Sequence, residues 1–70
     1  MNDIPYGHKL MPNGETILLG NYTVEIRDAY MYYRTERYLI DHPNKTRKQA
    51  GRVARDAWRR KAIKSMEVQS

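Results

Sequence analysis

The chain contains neither cysteine nor phenylalanine among its 70 residues. Without cysteine, disulfide cross-links and thiolate metal ligands are excluded. Without phenylalanine, six tyrosines and one tryptophan supply all of the aromatic bulk, and their polar ends need partners when buried. So small a chain has a thin core, and a second copy or a bound partner often supplements such a core. A homodimer is therefore one of the expected arrangements.

Long apolar runs are also missing, since none approaches the about 20 residues that a membrane-spanning helix needs. The N-terminal sequence lacks the basic start and apolar stretch of a secretion signal. We therefore expect a soluble, cytoplasmic protein with no membrane partner. Residues 1–8 are expected to be a flexible N-terminus, 9–64 a single small domain and 65–70 a fraying tail.

Two turn signals organise the first part of the domain. Pro12-Asn13-Gly14 suits a tight turn, and Gly20-Asn21 is typical of a two-residue hairpin loop. Between and around them the pattern predicts strands over 9–11, 15–19 and 22–27, the last one from the alternation of Tyr22, Val24 and Ile26. The alternative to this third strand is a helix that starts at Thr23.

Two helices follow in the prediction. Asp28 is expected to cap the first, over 29–41, which Pro43 ends. Thr46 and Gln49 match a capping box that opens the second, which is predicted to reach about Met66. The fold class is therefore α+β: a short antiparallel β-hairpin or three-stranded meander followed by two α-helices, the last one strongly basic.

Positive charge is concentrated in the second helix. The chain carries 13 Lys and Arg against 8 Asp and Glu, for a net charge of +5. Nine of the basic side chains lie within residues 44–64, where Asp56 is the one acidic residue, whereas residues 1–43 carry four basic and six acidic side chains. This division predicts a cationic surface that attracts polyanions or an acidic protein surface.

At helical spacing, part of this charge falls on one side of the second helix, opposite Ala50, Ala54 and Ala57. Guanidinium groups spaced about one helical turn apart can contact successive phosphate oxygens. If the helix binds four to six phosphates, a plot of log affinity against log salt concentration is predicted to have a slope of roughly −4 to −5. The simpler alternative is an ordinary solvated helix face. The candidate nucleic-acid or partner-binding residues are Lys45, Arg47, Lys48, Arg52, Arg55, Arg59 and Arg60.

Two known DNA-binding arrangements were compared with this pattern. A helix-turn-helix would place Arg47, Lys48 and Arg52 against bases, but Gly51 falls inside the second helix rather than in the turn. The order of strand and two helices is similar to that of ribbon-helix-helix dimers, which read the major groove with a strand. The candidate strand segment over 16–19 is largely apolar here and the charge lies in the last helix, so we assign no family.

The aromatic residues have structural and functional interpretations. Trp58 is expected to fill the core beside the small alanines, and the alternative is stacking on a base or anchoring a protein contact. Tyr33 is also expected in the core. Tyr32 and Tyr38 are the tyrosines expected at a dimer or partner interface, where aromatic side chains are enriched.

The sequence carries no catalytic pattern. His8 and His42 have no metal-ligand spacing, and no nucleophile, cofactor or metal site is predicted. Asp56 is expected to pair with Arg52, Arg59 or Arg60. The sequence therefore favours a small non-enzymatic regulatory protein that binds nucleic acid, DNA before RNA, through its last helix. The alternative is a phage-type capture protein that docks on an acidic or DNA-binding surface of a host enzyme such as RNA polymerase.

Overall fold

Two strands and two helices make up the computed structural model, which describes residues 3–67. Strand β1 is His8–Leu10, strand β2 is Thr16–Leu18, helix α1 is Val24–Asp41 and helix α2 is Arg47–Ser65. The strands form one antiparallel two-stranded sheet. The α+β order of hairpin, helix and helix was therefore predicted correctly.

The hairpin turns where the sequence indicated. The amide of Gly14 donates to the carbonyl of Met11, and the amide of Met11 donates to the carbonyl of Glu15. Gly14 has a φ of 89°, a left-handed conformation that glycine adopts without steric cost. This turn sets the strand register, in which Lys9 lies opposite Ile17.

The third strand predicted over 22–27 is wrong, because α1 starts at Val24. The hydroxyl of Thr23 accepts a hydrogen bond from the amide of Ile26 and so caps the helix. Thr23 thus takes the role predicted for Asp28, which lies within the first turns of α1. An N-cap satisfies amides that a short edge strand would leave without partners, and this outweighs the weak β pattern of the segment.

The position of this cap can be tested by two alanine substitutions. Thr23→Ala is expected to lower the free energy of unfolding by about 1 kcal/mol, because it removes the cap. Asp28→Ala, at an exposed site, is expected to change it by less than about 0.5 kcal/mol. Urea denaturation followed by far-UV circular dichroism measures both. Equal losses for the two variants would contradict the assignment of Thr23 as the cap.

Helix α2 begins as predicted. The hydroxyl of Thr46 accepts from the amide of Gln49, and the Gln49 side chain accepts from the amide of Thr46. Four alanines of α2 are buried, and their small size allows other backbone segments to approach closely. They are Ala50, Ala54, Ala57 and Ala62.

Trp58 is the centre of the core, as expected. It is 3% exposed and packs with Leu19 and Ala62, and its indole N–H donates to the carbonyl of Leu18 at 2.7 Å. The rings of Tyr22 and Tyr30 each lie with their centres 5.4 Å from the centre of the Trp58 ring. This side chain therefore joins the hairpin to both helices.

The packed part of α2 extends to the last turn of the helix. Ala62 is fully buried, and Ser65 holds Asn21 through two hydrogen bonds, one from the Asn21 amide to the Ser65 hydroxyl and one from the Asn21 side chain to the Ser65 carbonyl. Residues 68–70 of the predicted tail, like residues 1 and 2, lie outside the described part of the chain.

Helix α1 has no buried residue, although it is 18 residues long. Tyr33, which was expected in the core, is 62% exposed. The prediction is wrong because α1 packs against α2, and Tyr33 lies on the side of α1 that faces away from α2. Within residues 3–67, neither helix is both long and apolar enough to span a bilayer.

Candidate functional site

Four basic side chains share one side of α2, and we call this set the cationic face. Lys48, Arg52, Arg55 and Arg59 are all exposed. At 100° per residue they fall within an arc of roughly 60°, opposite the buried Ala50, and they extend for about 16 Å along the helix. The cationic face therefore lies on the side of α2 opposite Ala50, and its Arg55 and Arg59 end adjoins the hairpin and the first turn of α1.

The cationic face is not neutralised within the protein. Among residues 3–67, no carboxylate oxygen lies within 4.0 Å of a charged nitrogen of its four members. The predicted pairing of Asp56 with Arg52, Arg59 or Arg60 is therefore wrong, and Asp56 is exposed beside them. Exposed pairs of this kind contribute little, so solvation of both groups competes well with pairing.

The other predicted binding residues have different positions. Arg47 forms an ion pair with Glu36 of α1, at 2.6 Å between the guanidinium and carboxylate, and this contact lowers its availability for a ligand. Lys45 is exposed in the connection before α2. Arg60 is exposed about 100° around the helix from the centre of the cationic face. The structure therefore assembles four of the seven candidates into one surface.

Lys61 shows why a basic residue can occur near the apolar side of α2. Its ammonium nitrogen lies 5.1 Å from the ring centre of Tyr22 and 5.7 Å from that of Tyr30. Cation–π attraction and burial of the aliphatic stem explain this position. Lys61 thus covers the aromatic cluster and does not belong to the cationic face.

An open groove of about 520 Å³ lies beside the cationic face, between the hairpin and α2. Arg55 and Arg59 form its α2 side together with Asp56, and His8 and Arg27 also line it. Sequence reasoning did not single out His8 or Arg27 as neighbours of these arginines, because only the tertiary fold joins segments so distant in the chain. Glu15 adds a second carboxylate, so the groove has mixed charge.

The three aromatic candidates differ in exposure. Trp58 is 3% exposed, so little of its ring is available to stack on a base or to contact a partner. Tyr32 is 69% exposed on α1. Tyr38 is half-buried, and the centre of its ring lies 4.5 Å from that of the His42 ring. Of the three, Tyr32 is the side chain with most of its surface available for a contact.

Comparisons with protein-family models, curated proteins and solved structures found no match for this chain. Over residues 3–67, no group of three or more His, Asp or Glu side chains is placed to hold a metal ion. What the site offers chemically is a row of hydrogen-bond donors with permanent positive charge. Three of the four donors are guanidinium groups, which can hold phosphate or carboxylate through two parallel hydrogen bonds.

Proposed function

We propose that the cationic face binds nucleic acid through its phosphate backbone, with duplex DNA as the first ligand to test. One observation carries the proposal: Lys48, Arg52, Arg55 and Arg59 project from one side of α2 with no carboxylate of residues 3–67 within ion-pairing distance. A row of unpaired cations on a rigid helix gains free energy from a polyanion, because each phosphate that it neutralises releases condensed counterions.

The chemistry of the face supports phosphate contacts over base readout. Its four side chains are long and cationic, and they cover about 16 Å of helix, a distance along which duplex DNA carries on the order of ten phosphates. No exposed aromatic side chain stands among them for stacking on bases, within the described residues. Binding of this type positions a protein on nucleic acid and depends little on sequence.

The distribution of acidic groups also supports this surface. Ion pairs hold Asp41 within α1 and Glu36 between α1 and α2. Asp56 and Glu15 are the carboxylates that line the groove beside Arg55 and Arg59, so a polyanion that contacts the cationic face meets four cations and these two nearby anions. Such an asymmetric field raises the association rate and orients the encounter.

Charge reversal on the cationic face tests the proposal. Arg52→Glu/Arg55→Glu is expected to weaken binding of a mixed-sequence duplex by about 10- to 100-fold, because it removes two phosphate contacts and adds repulsion. For the wild type, a plot of log affinity against log salt concentration is expected to have a slope of about −3 to −4. For the variant, the magnitude of this slope is expected to be smaller by about 2. Fluorescence anisotropy titrations at several salt concentrations measure both quantities.

A matched control separates the surface from overall charge. Lys9→Glu/Arg34→Glu changes the net charge equally, at two exposed positions outside α2. It is expected to weaken binding far less than the α2 variant. Unchanged binding by Arg52→Glu/Arg55→Glu, or an equal loss in both variants, would refute the cationic face as the binding surface.

The capture of a host protein remains the second candidate function, since an acidic enzyme surface could contact the same arginines. A pull-down from nuclease-treated lysate distinguishes the two candidates. Loss of all captured proteins after nuclease treatment supports nucleic acid as the ligand. Retained proteins whose capture requires Arg52 and Arg55 would favour docking on a protein.

A further inference from the structure

The side of α1 that faces away from α2 carries an uncovered apolar surface, which we call the outer stripe. It consists of Ile26, Ala29, Tyr33 and Ile40, all exposed, with Ile26 at 47% and Ile40 at 73%. Ile26, Tyr33 and Ile40 recur every seven residues, the spacing that keeps one seam of a helix facing a partner helix. Exposed apolar side chains that share one side of a helix are typical of a surface that contacts a partner.

The chain as a whole also exposes more surface than its mass requires. Its accessible area is 5775 Å², whereas a compact monomer of 8.3 kDa is expected to expose about 4,600 Å². Helix α1 contributes to this exposure, because none of its 18 residues is buried.

We propose that the outer stripe is the interface of a homodimer in which the α1 helices of two copies pack antiparallel about a two-fold axis through Tyr33. Ile26 and Ile40 are equally distant from Tyr33 along the helix. A two-fold axis at Tyr33 therefore places Ile26 of one copy against Ile40 of the other, and Tyr33 against Tyr33. The same patch then serves both copies, as an isologous interface requires.

Charge favours the antiparallel arrangement over the parallel one. In a parallel pair, each exposed Arg37 would lie level with the other Arg37 at the edge of the seam, and like charges at close range repel. In the antiparallel pair, the two Arg37 residues are offset by about 12 Å along the axis. Arg37 then lies level with the small Ala29, which leaves room for its aliphatic stem.

Charge also explains why a second copy would use α1 rather than α2. The cationic face of one copy would repel that of another, since its four members carry the same sign. Contact through α1 keeps the two cationic faces on opposite outer sides of the dimer. The outer stripe and the cationic face thus lie on different helices, and the dimer proposal does not depend on what the cationic face binds.

The association state tests the interface. Wild-type protein at micromolar concentration is expected to sediment with twice the 8.3 kDa mass of the chain. Tyr33→Glu places two carboxylates at the symmetry axis and is expected to raise the dimer dissociation constant by about 100-fold or more. Because Tyr33 is exposed in each copy, far-UV circular dichroism of the variant should show that it remains folded.

Tyr6→Glu is the matched control, because Tyr6 is 79% exposed and lies outside both helices. It is expected to leave the dimer intact. A wild-type protein that is monomeric up to about 100 μM, or a Tyr33→Glu variant with wild-type mass, would overturn the proposal and leave the outer stripe to a different partner.

The absence of native cysteine allows the orientation to be tested by cross-linking. Ile26→Cys mixed with Ile40→Cys is expected to give a disulfide-linked dimer on mild oxidation, whereas neither variant alone should cross-link efficiently. Efficient cross-linking of Ile26→Cys with itself would overturn the antiparallel arrangement, because it would require the two Ile26 positions to adjoin.

Discussion

Trp58→Ala is expected to lower the free energy of unfolding by about 3–5 kcal/mol, the range for an aromatic side chain removed from a core. The side chain is 3% exposed and is the largest of the six buried apolar residues among residues 3–67, four of which are alanines. Alanines cannot move far enough to fill the cavity that the indole would leave. The loss also removes the hydrogen bond to the carbonyl of Leu18 and the ring contacts with Tyr22 and Tyr30.

The expected loss is comparable to the whole stability of a domain of this size, for which a core supplies about 3–5 kcal/mol. The Trp58→Ala variant is therefore expected to be largely unfolded at 25 °C. Far-UV circular dichroism across a urea titration, at fixed protomer concentration, measures the change.

Trp58→Phe is the informative control for this substitution. It retains much of the ring but removes the donor to Leu18, and it is expected to cost about 1–3 kcal/mol. If the free energy of unfolding of Trp58→Ala were within about 1 kcal/mol of the wild-type value, the core would not depend on the indole.

Gly20→Ala is the second substitution expected to have a large effect, of about 2–4 kcal/mol. Gly20 has a φ of 61°, and a methyl group there would overlap the carbonyl oxygen of Ala62 and the hydroxyl of Ser65. The carbonyl belongs to the backbone of α2 and cannot rotate away, so the loop or the helix would have to shift. The left-handed conformation adds about 1–2 kcal/mol for any residue with a β-carbon.

Gly14→Ala separates these two costs. Gly14 also has a left-handed φ, of 89°, but a methyl group there would meet no atom within 4 Å. It should therefore show the conformational cost of about 1–2 kcal/mol without the overlap. Thermal and urea denaturation of both variants measure the difference. If Gly20→Ala were no more destabilising than Gly14→Ala, the close approach of the loop to α2 would be refuted.

Local signals in the sequence predicted much of this fold. The turn at Gly14 and the capping box of Thr46 and Gln49 act within a few residues of each other, so their sequence patterns are sufficient to predict them. The core role of Trp58 was predictable for a related reason, because the helix offers no other large apolar residue on its alanine side. The spacing of the cationic face likewise follows from the helical period alone.

The rest depended on tertiary contacts that no local pattern contains. Alternation at Tyr22, Val24 and Ile26 fits a strand as well as the start of a helix, and the Thr23 cap decides between them. Tyr33 has the apolar character of a core residue, but its burial depends on whether another element covers that side of α1. The pairing of Arg47 with Glu36 likewise arises only when the two helices meet.

The connection between Asn21 and Ser65 has a mechanical consequence for both helices. These residues are 44 positions apart, and their hydrogen bonds fasten the segment before α1 to the last turn of α2. The antiparallel helices are thereby held together by these hydrogen bonds at one end and joined by the 42–46 connection at the other. Separation of the two helices at this end would break both Asn21–Ser65 hydrogen bonds. These bonds therefore restrain the backbone that carries the arginines of α2, and a ligand that fits the arginines would lose little affinity to backbone rearrangement.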